Sequence, residues 1–246
     1  MHPIISVRNL KNQFGDQVVH DDLNLDIYKG EIIGIVGGSG TGKSVLMRTI
    51  IKLQERTSGT IEMMGKNIDD SNNNGRLNYG VLFQNGALFS ALTVLENIMF
   101  PMREHTKLNA HDMEQLARIK ISLVGLKQES AHKLPAEISG GMRKRVALAR
   151  SLAMEPEILF LDEPTAGLDP IGAAAFDNLI KDLRSSLGIT CVIITHDLDT
   201  LYSICDRIAV LVDKKIVVDT LENLLKNKHP WIKEYFHGER ARAITA

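Results

Sequence analysis

Nine short runs along the chain carry the hydrophobic pattern of β-strands. They are IISV (4–7), VVH…LNLDI (18–27), EIIGIV (31–36), GTIEMM (59–64), YGVLF (79–83), EILFLD (157–162), TCVIIT (190–195), RIAVLV (207–212) and KIVVD (215–219). The runs at 31–36, 157–162 and 190–195 are almost wholly apolar, as strands buried on both faces of a parallel sheet are. Within 4–27 and 59–83 apolar and polar positions alternate, which predicts antiparallel strands with one wet face. Between the strands at 79–83 and 157–162, residues 108–154 hold several helical patterns, so a helical block interrupts the α/β order. DDSNNNGRLN (69–78) is a solvated turn by composition. No internal repeat is present.

Composition narrows the class. The chain has 246 residues, enough for one large domain or two small ones, and 44% of them are apolar, ample for a core. Basic and acidic residues number 29 and 30, a net charge of −1, which speaks against a nucleic-acid partner held by bulk electrostatics. Of the two cysteines, Cys191 lies in the apolar run CVIIT and reads as a small buried side chain; neither a disulfide framework nor a CxxC metal spacing exists. The start, MHPIISVRNL, lacks the basic and long apolar stretches of a signal peptide. The longest apolar runs (IIGIV, ILFL, CVII, IAVLV) are too short to cross a bilayer. A cytoplasmic soluble protein is expected, free to dock on a membrane protein.

GGSGTGKS at 37–44 follows the apolar strand 31–36 and precedes VLMRTIIKL, a helix-compatible run. It fills G-x-x-x-x-G-K-S in the strand–loop–helix context that phosphate binding requires. Gly37, Gly38, Ser39, Gly40, Thr41, Gly42 and the first helical residues to Val45 bring backbone N–H groups to the phosphates. Lys43 neutralises β/γ oxygens, and Ser44 offers its hydroxyl to Mg²⁺. The chain is therefore expected to bind a nucleoside triphosphate. Asp162 ends the buried strand ILFLD and Glu163 follows, an acidic pair at the carboxyl edge of a parallel sheet, where ligands lie. Asp162 is the metal carboxylate and Glu163 the group that polarises the attacking water. His196 caps the third buried strand and is placed to sense the γ-phosphate. EISGGMRKRVALAR (137–150) opens a helix on Ser139, Gly140 and Gly141, an anion-binding turn with no lysine-bearing loop around it.

Jointly, the phosphate loop, Gln84 in VLFQNGALF, ISGGM (138–142), LFLDEP (159–164), AGLD (166–169) and TH (195–196) resemble the ATP-binding cassette ATPases, in the family's order, over roughly residues 4–220. The resemblance implies an α/β fold: a P-loop NTPase core with an N-terminal antiparallel β-subdomain and an inserted α-helical subdomain. The ATPase domain then runs over 1–226 with the helical part at about 88–155, and an aromatic tail occupies 227–246. ATP and Mg²⁺ are the implied cofactors. Phe14 aligns with the aromatic that stacks on adenine, Gln84 with the loop amide that reaches Mg²⁺ beside Ser44 and Asp162, and Asp169 with the loop that crosses the dimer interface. Ser139, Gly140 and Gly141 match the signature that meets the γ-phosphate held by a second copy's Lys43, in a head-to-tail homodimer enclosing two ATPs.

The segment from ISGGM to AGLDP, with Met142 where glutamine is commoner, looks like the cassette of the Mla-type lipid transporters associated with MCE-domain proteins. That resemblance implies ATP-driven phospholipid transport that maintains outer-membrane lipid asymmetry. The partners implied are an integral membrane permease, an MCE-domain substrate-binding protein and a small STAS-type regulatory subunit. The ATPase would sit peripherally on the cytoplasmic face of the inner membrane. Leu88 and Phe89, after Gln84, are the expected permease contacts. In HPWIKEYFHG (229–238), Trp231, Tyr235 and Phe236 share a helical face expected to dock on another subunit. An importer ATPase for amino acids or another small solute, a soluble cassette acting in translation or DNA repair, and a P-loop kinase are the alternatives. Met142 and the tail count against the first. The absence of a second cassette or a long coiled coil counts against the second, and the signature against the third.

Overall fold

A computed structural model describes residues 2–70 and 78–238. Most of the turn expected at 69–78 and the last eight residues of the tail lie outside the described residues. In chain order, the first stretch holds β1 (Pro3–Phe14), β2 (Gln17–Tyr28), β3 (Ile32–Gly37), α1 (Lys43–Ile50), β4 (Ser58–Met63) and β5 (Lys66–Asn67). The middle holds β6 (Tyr79–Leu82), α2 (Val94–His105), α3 (Ala110–Leu123), α4 (Gly140–Ser151), β7 (Ile158–Asp162) and α5 (Pro170–Leu187). The last stretch holds β8 (Thr190–Ile194), α6 (Leu198–Ile204), β9 (Arg207–Val212), β10 (Lys215–Asp219), α7 (Leu221–Leu225) and α8 (Pro230–His237). Two compact units result, one of residues 1–77 with 190–246, the other of residues 78–189.

In the first unit, β1 and β2 form an antiparallel hairpin, and β4 pairs antiparallel on the other side of β1. The alternation read from the sequence is the cause: Ile5, Val7 and Leu10 of β1 and Leu23, Leu25 and Ile27 of β2 are buried while most of their neighbours, Ile4 apart, are partly or fully exposed. The second sheet of this unit runs β10–β9–β3–β8, with β3 parallel to both β8 and β9 and β10 antiparallel to β9. β3 and β8 are buried along their lengths, as their unbroken apolar runs require. At the base of β3, Glu31 receives Arg207 at 2.8 Å and the Tyr28 backbone N–H at 2.7 Å, which anchors the strand that delivers the phosphate loop.

The second unit pairs β6 with β7 in parallel. β6 was expected among the antiparallel strands because its residues alternate; the alternation reflects one half-buried face and does not set strand direction. α2 begins on a capping box, in which Thr93 accepts from the Glu96 N–H and Glu96 accepts from the Thr93 N–H, and it packs on α3 and α4.

The tail helix α8 differs from expectation. Ile232 and Phe236 enter the core of the first unit beside Val36, Leu201, Ile208, Val210 and Leu224, and Phe236 is only 2% exposed. Phe236 is therefore a core residue and cannot belong to an outward docking face. Trp231 and Tyr235 stay half-buried at the edge of that cluster. Among the described residues, no helix is long and apolar enough to cross a membrane.

Candidate nucleotide site

The first unit holds the phosphate loop. β3 ends at Gly37, the chain turns through residues 38–42, and Gly42 occupies the N-cap of α1 in the left-handed region (φ 95°) with no side-chain cap. The N–H groups of the first turn thus have no capping side chain, and the helix dipole adds to their pull on an anion. Lys43 Nζ donates to the carbonyls of Gly37 (2.8 Å) and Gly38 (3.0 Å), and Thr41 Oγ1 donates to Gly38 O (2.9 Å). The expected phosphate-binding residues Gly37 to Val45 are therefore one continuous loop and helix start. Phe14 closes β1 and leaves 42% of its surface exposed.

A residue that sequence reasoning missed lies beneath this loop. A Cβ on Gly42 would come within 2.6 Å of His20 Nε2, so glycine alone lets the loop close down on β2. His20 is 0% exposed; its Nδ1 lies 3.0 Å from Asn12 Nδ2, which also donates to Thr49 Oγ1 of α1 at 3.1 Å. This network ties β1, β2 and α1 together. Burial lowers the His20 pKa from 6.5 to about 4; the nearby backbone of Thr41 and Gly42 pulls the other way, without a hydrogen bond of normal geometry to Nε2. Between those values the unfolded chain binds a proton that the folded chain refuses. Stability should therefore fall as pH drops from 6.5 toward 4, by up to about 3 kcal/mol. Urea midpoints from pH 7 to pH 5 should decline more steeply for the parent protein than for His20→Leu; parallel slopes would remove His20 from the acid sensitivity.

His196 follows β8 and is exposed, and its carbonyl accepts from Tyr235 Oη at 3.3 Å. Tyr235 stacks on Trp231 with ring centroids 4.9 Å apart, and the Trp231 indole nitrogen lies 3.8 Å from where a Gly38 Cβ would stand. The aromatic edge of α8 thus reaches the phosphate loop and the His196 turn of its own unit.

The second unit carries the remaining expected residues. Asp162 ends β7 and is 7% exposed, and Glu163 follows with φ 49°, a strained value for a non-glycine residue. Gln84 follows β6 and is exposed, as is Phe89, while Leu88 is half-buried. Ser139 caps α4, its Oγ accepting from the Met142 N–H at 3.2 Å, with Ser139 and Gly140 exposed and Gly141 half-buried. The cap uses the Met142 backbone, so the identity of that side chain is free of the capping requirement. Asp169 caps α5 through the Gly172 N–H at 2.9 Å.

The basic run after the signature is tied to backbone carbonyls. Arg143 donates to Ile138 O (2.9 Å), Arg145 to Val124 O (2.6 Å), and Arg150 to Gly86 O and Ala87 O (2.7 Å each). Lys144 donates to Gln84 O and to Glu163 O, the latter at 3.0 Å. Its burial pushes its pKa down, and the Glu163 and Asp162 carboxylates pull it back up. A cavity of about 350 Å³ opens here, lined by Gln84, Gly140, Lys144 and Gly167 among others.

A sequence model of the family described as ABC transporter matches residues 20–166. The chain belongs to the ABC transporter family. Within it, the chain is 37% identical over 241 residues to the intermembrane phospholipid transport system ATP-binding protein MlaF of Haemophilus influenzae, covering 96% of this chain and 91% of that one. It is equally, 37%, identical over 245 residues to the probable ribonucleotide transport ATP-binding protein mkl of Mycobacterium leprae, covering 98% of this chain and 70% of that one. Among solved structures, an ATP-binding cassette captured as a dimer in a post-hydrolysis state with ADP and Pi superposes with a TM-score of 0.78. It is 28% identical, and the match covers 88% of this chain and 98% of that one. The chain is accordingly an ABC cassette with the P-loop fold, an ATP-binding and ATP-hydrolysing transporter subunit.

Proposed function

We propose that this cassette powers phospholipid transport between membranes. The observation that carries the reading is the similarity to MlaF over 96% of this chain and 91% of that one. The cassette's own residues then divide the work. Backbone N–H groups of residues 38–45 and the Lys43 ammonium hold the triphosphate, and Phe14 stacks on adenine. Glu163 orients and polarises the attacking water, and His196 supports it at the γ-phosphate. Ser44 Oγ, the Gln84 amide oxygen and the Asp162 carboxylate are hard oxygen donors of the kind Mg²⁺ takes. Bound with the nucleotide, Mg²⁺ supplies charge neutralisation at the phosphate oxygens.

The exposed start of α4, Ser139 to Gly141, has no lysine loop of its own. It faces the nucleotide of a second copy, so that two cassettes close head to tail over two ATPs. The dimeric solved relative supports this arrangement. Exposed Phe89 and half-buried Leu88 meet a permease, which carries closure to the membrane. The complete assembly includes an MCE-domain protein and a small STAS-type subunit, with the cassette on the cytoplasmic face of the inner membrane.

The relative named for ribonucleotide transport supports a second reading with a different cargo. Affinity purification of the cassette from detergent-solubilised membranes separates the two. Co-purification of a permease and an MCE-domain protein, with phospholipid in the complex, is the expected result. A soluble solute-binding protein in their place would sink the lipid reading.

A further inference from the structure

We propose that Lys144 is a positioning residue that locks the Gln84 loop to the backbone of Glu163 and so sets the aim of the carboxylate. The proposal rests on the reading of Glu163 as the group that orients water. Lys144 is 8% exposed, although it lies in a run of three basic residues on the helix that carries the signature. Its ammonium donates to two carbonyls far apart in sequence, Gln84 O and Glu163 O.

Both acceptors sit where the backbone needs help. Glu163 has φ 49°, and its carbonyl also accepts from the Ala166 N–H at 3.2 Å. Left-handed backbone at a non-glycine residue costs energy and persists only where surrounding contacts hold it. On the other side, the Gln84 loop contains two left-handed residues, Gly86 (φ 73°) and Ala87 (φ 47°). Arg150, six residues farther along α4, donates to the carbonyls of those same two residues. α4 therefore grips the whole 84–87 loop with two cations, and Lys144 alone of the pair extends the grip to Glu163.

A consequence for the reaction follows from this geometry. Any rotation of α4 moves the carbonyl of Glu163 and the Gln84 loop together, because one ammonium holds both. The signature on one end of α4 and the water-orienting residue are thereby coupled within a single chain, with Lys144 as the joint.

The test uses the full chain and the variants Lys144→Met, Lys144→Gln and Lys144→Arg, with Glu163→Gln measured alongside. Methionine keeps the apolar stem and removes every donor; arginine keeps the charge and the donors. Lys144→Met should lower kcat for ATP at least about tenfold, as small misplacements of a reacting group do. KM should stay within about twofold, because phosphate binding is untouched. Lys144→Arg should recover most of kcat. Amide hydrogen exchange of residues 84–87 and 163–167 should speed up in Lys144→Met and not in Lys144→Arg, at an unchanged unfolding midpoint.

If Lys144→Met does not fold, the ordering of kcat as parent, Arg, then Gln at constant KM carries the same support. A kcat equal to the parent's in Lys144→Met, or in both Lys144→Gln and Lys144→Arg, overturns the proposal. So does an equal fall in kcat for Arg, Gln and Met. Loss of turnover in Glu163→Gln with parental turnover in the Lys144 variants sinks the Lys144 proposal alone. Full turnover in Glu163→Gln removes the role on which it rests.

Discussion

Glu163→Gln should bind ATP like the parent chain and turn it over about 10²–10⁴-fold more slowly, the usual worth of a positioned general base. The substitution keeps the length and planar shape of the side chain, removes its negative charge and replaces one acceptor oxygen with an NH₂ donor. The phosphate loop is held by contacts within its own segment: Lys43 donates to Gly37 and Gly38, and Gly42 caps α1. In the proposed cycle ATP binding closes the pair and hydrolysis reopens it, so the variant should also accumulate a dimer in the presence of ATP. Size-exclusion chromatography with and without nucleotide reads the dimer, and phosphate release reads the rate. Parental turnover would assign the water to another group. A monomer that binds ATP tightly and hydrolyses nothing would instead separate catalysis from closure.

Phe236→Ala should destabilise the protein by roughly 3–5 kcal/mol, the range for removing a fully buried phenylalanine from a packed core. Phe236 is among the largest fully buried side chains, and it packs with residues of β3, β9, α6 and α7. A phenylalanine used for docking on another subunit would cost the isolated chain no more than about 0.5 kcal/mol on truncation. The two roles therefore differ by several kcal/mol, well outside the error of a urea denaturation curve. Trp231→Ala, at the half-buried edge of the same helix, serves as the comparison with a smaller loss.

These two residues also show where sequence reading succeeds and where it stops. The place of Glu163, directly after β7, was legible because the unbroken apolar run before it reads as a buried strand, and β7 is buried throughout. The same holds for residues 37–45, where strand, glycines and lysine stand in one short segment. Phe236 was misplaced because helical spacing places an aromatic on a face and leaves open which surface covers it. β6 illustrates a related limit: alternation at Tyr79–Leu82 reports how wet each face is, and pairing direction depends on the distant strand β7. His20 and Lys144 left no signal at all. One sits in an alternating strand and the other in a basic run, and only the folded chain reveals that both are buried.

The left-handed backbone at Glu163 also bears on how this position can vary. A residue there meets two filters, and the backbone applies the first before any chemistry is asked of the side chain. Asn, Asp and Gly enter that region of φ easily, whereas Val, Ile and Thr are close to excluded. Sequence drift that preserves only the fold should therefore run toward short polar residues or glycine at 163. If Glu163 orients the water as proposed, a glutamate retained against that drift is a mark of selection on turnover, and a cassette that has lost its ATPase role should reveal it first at this site.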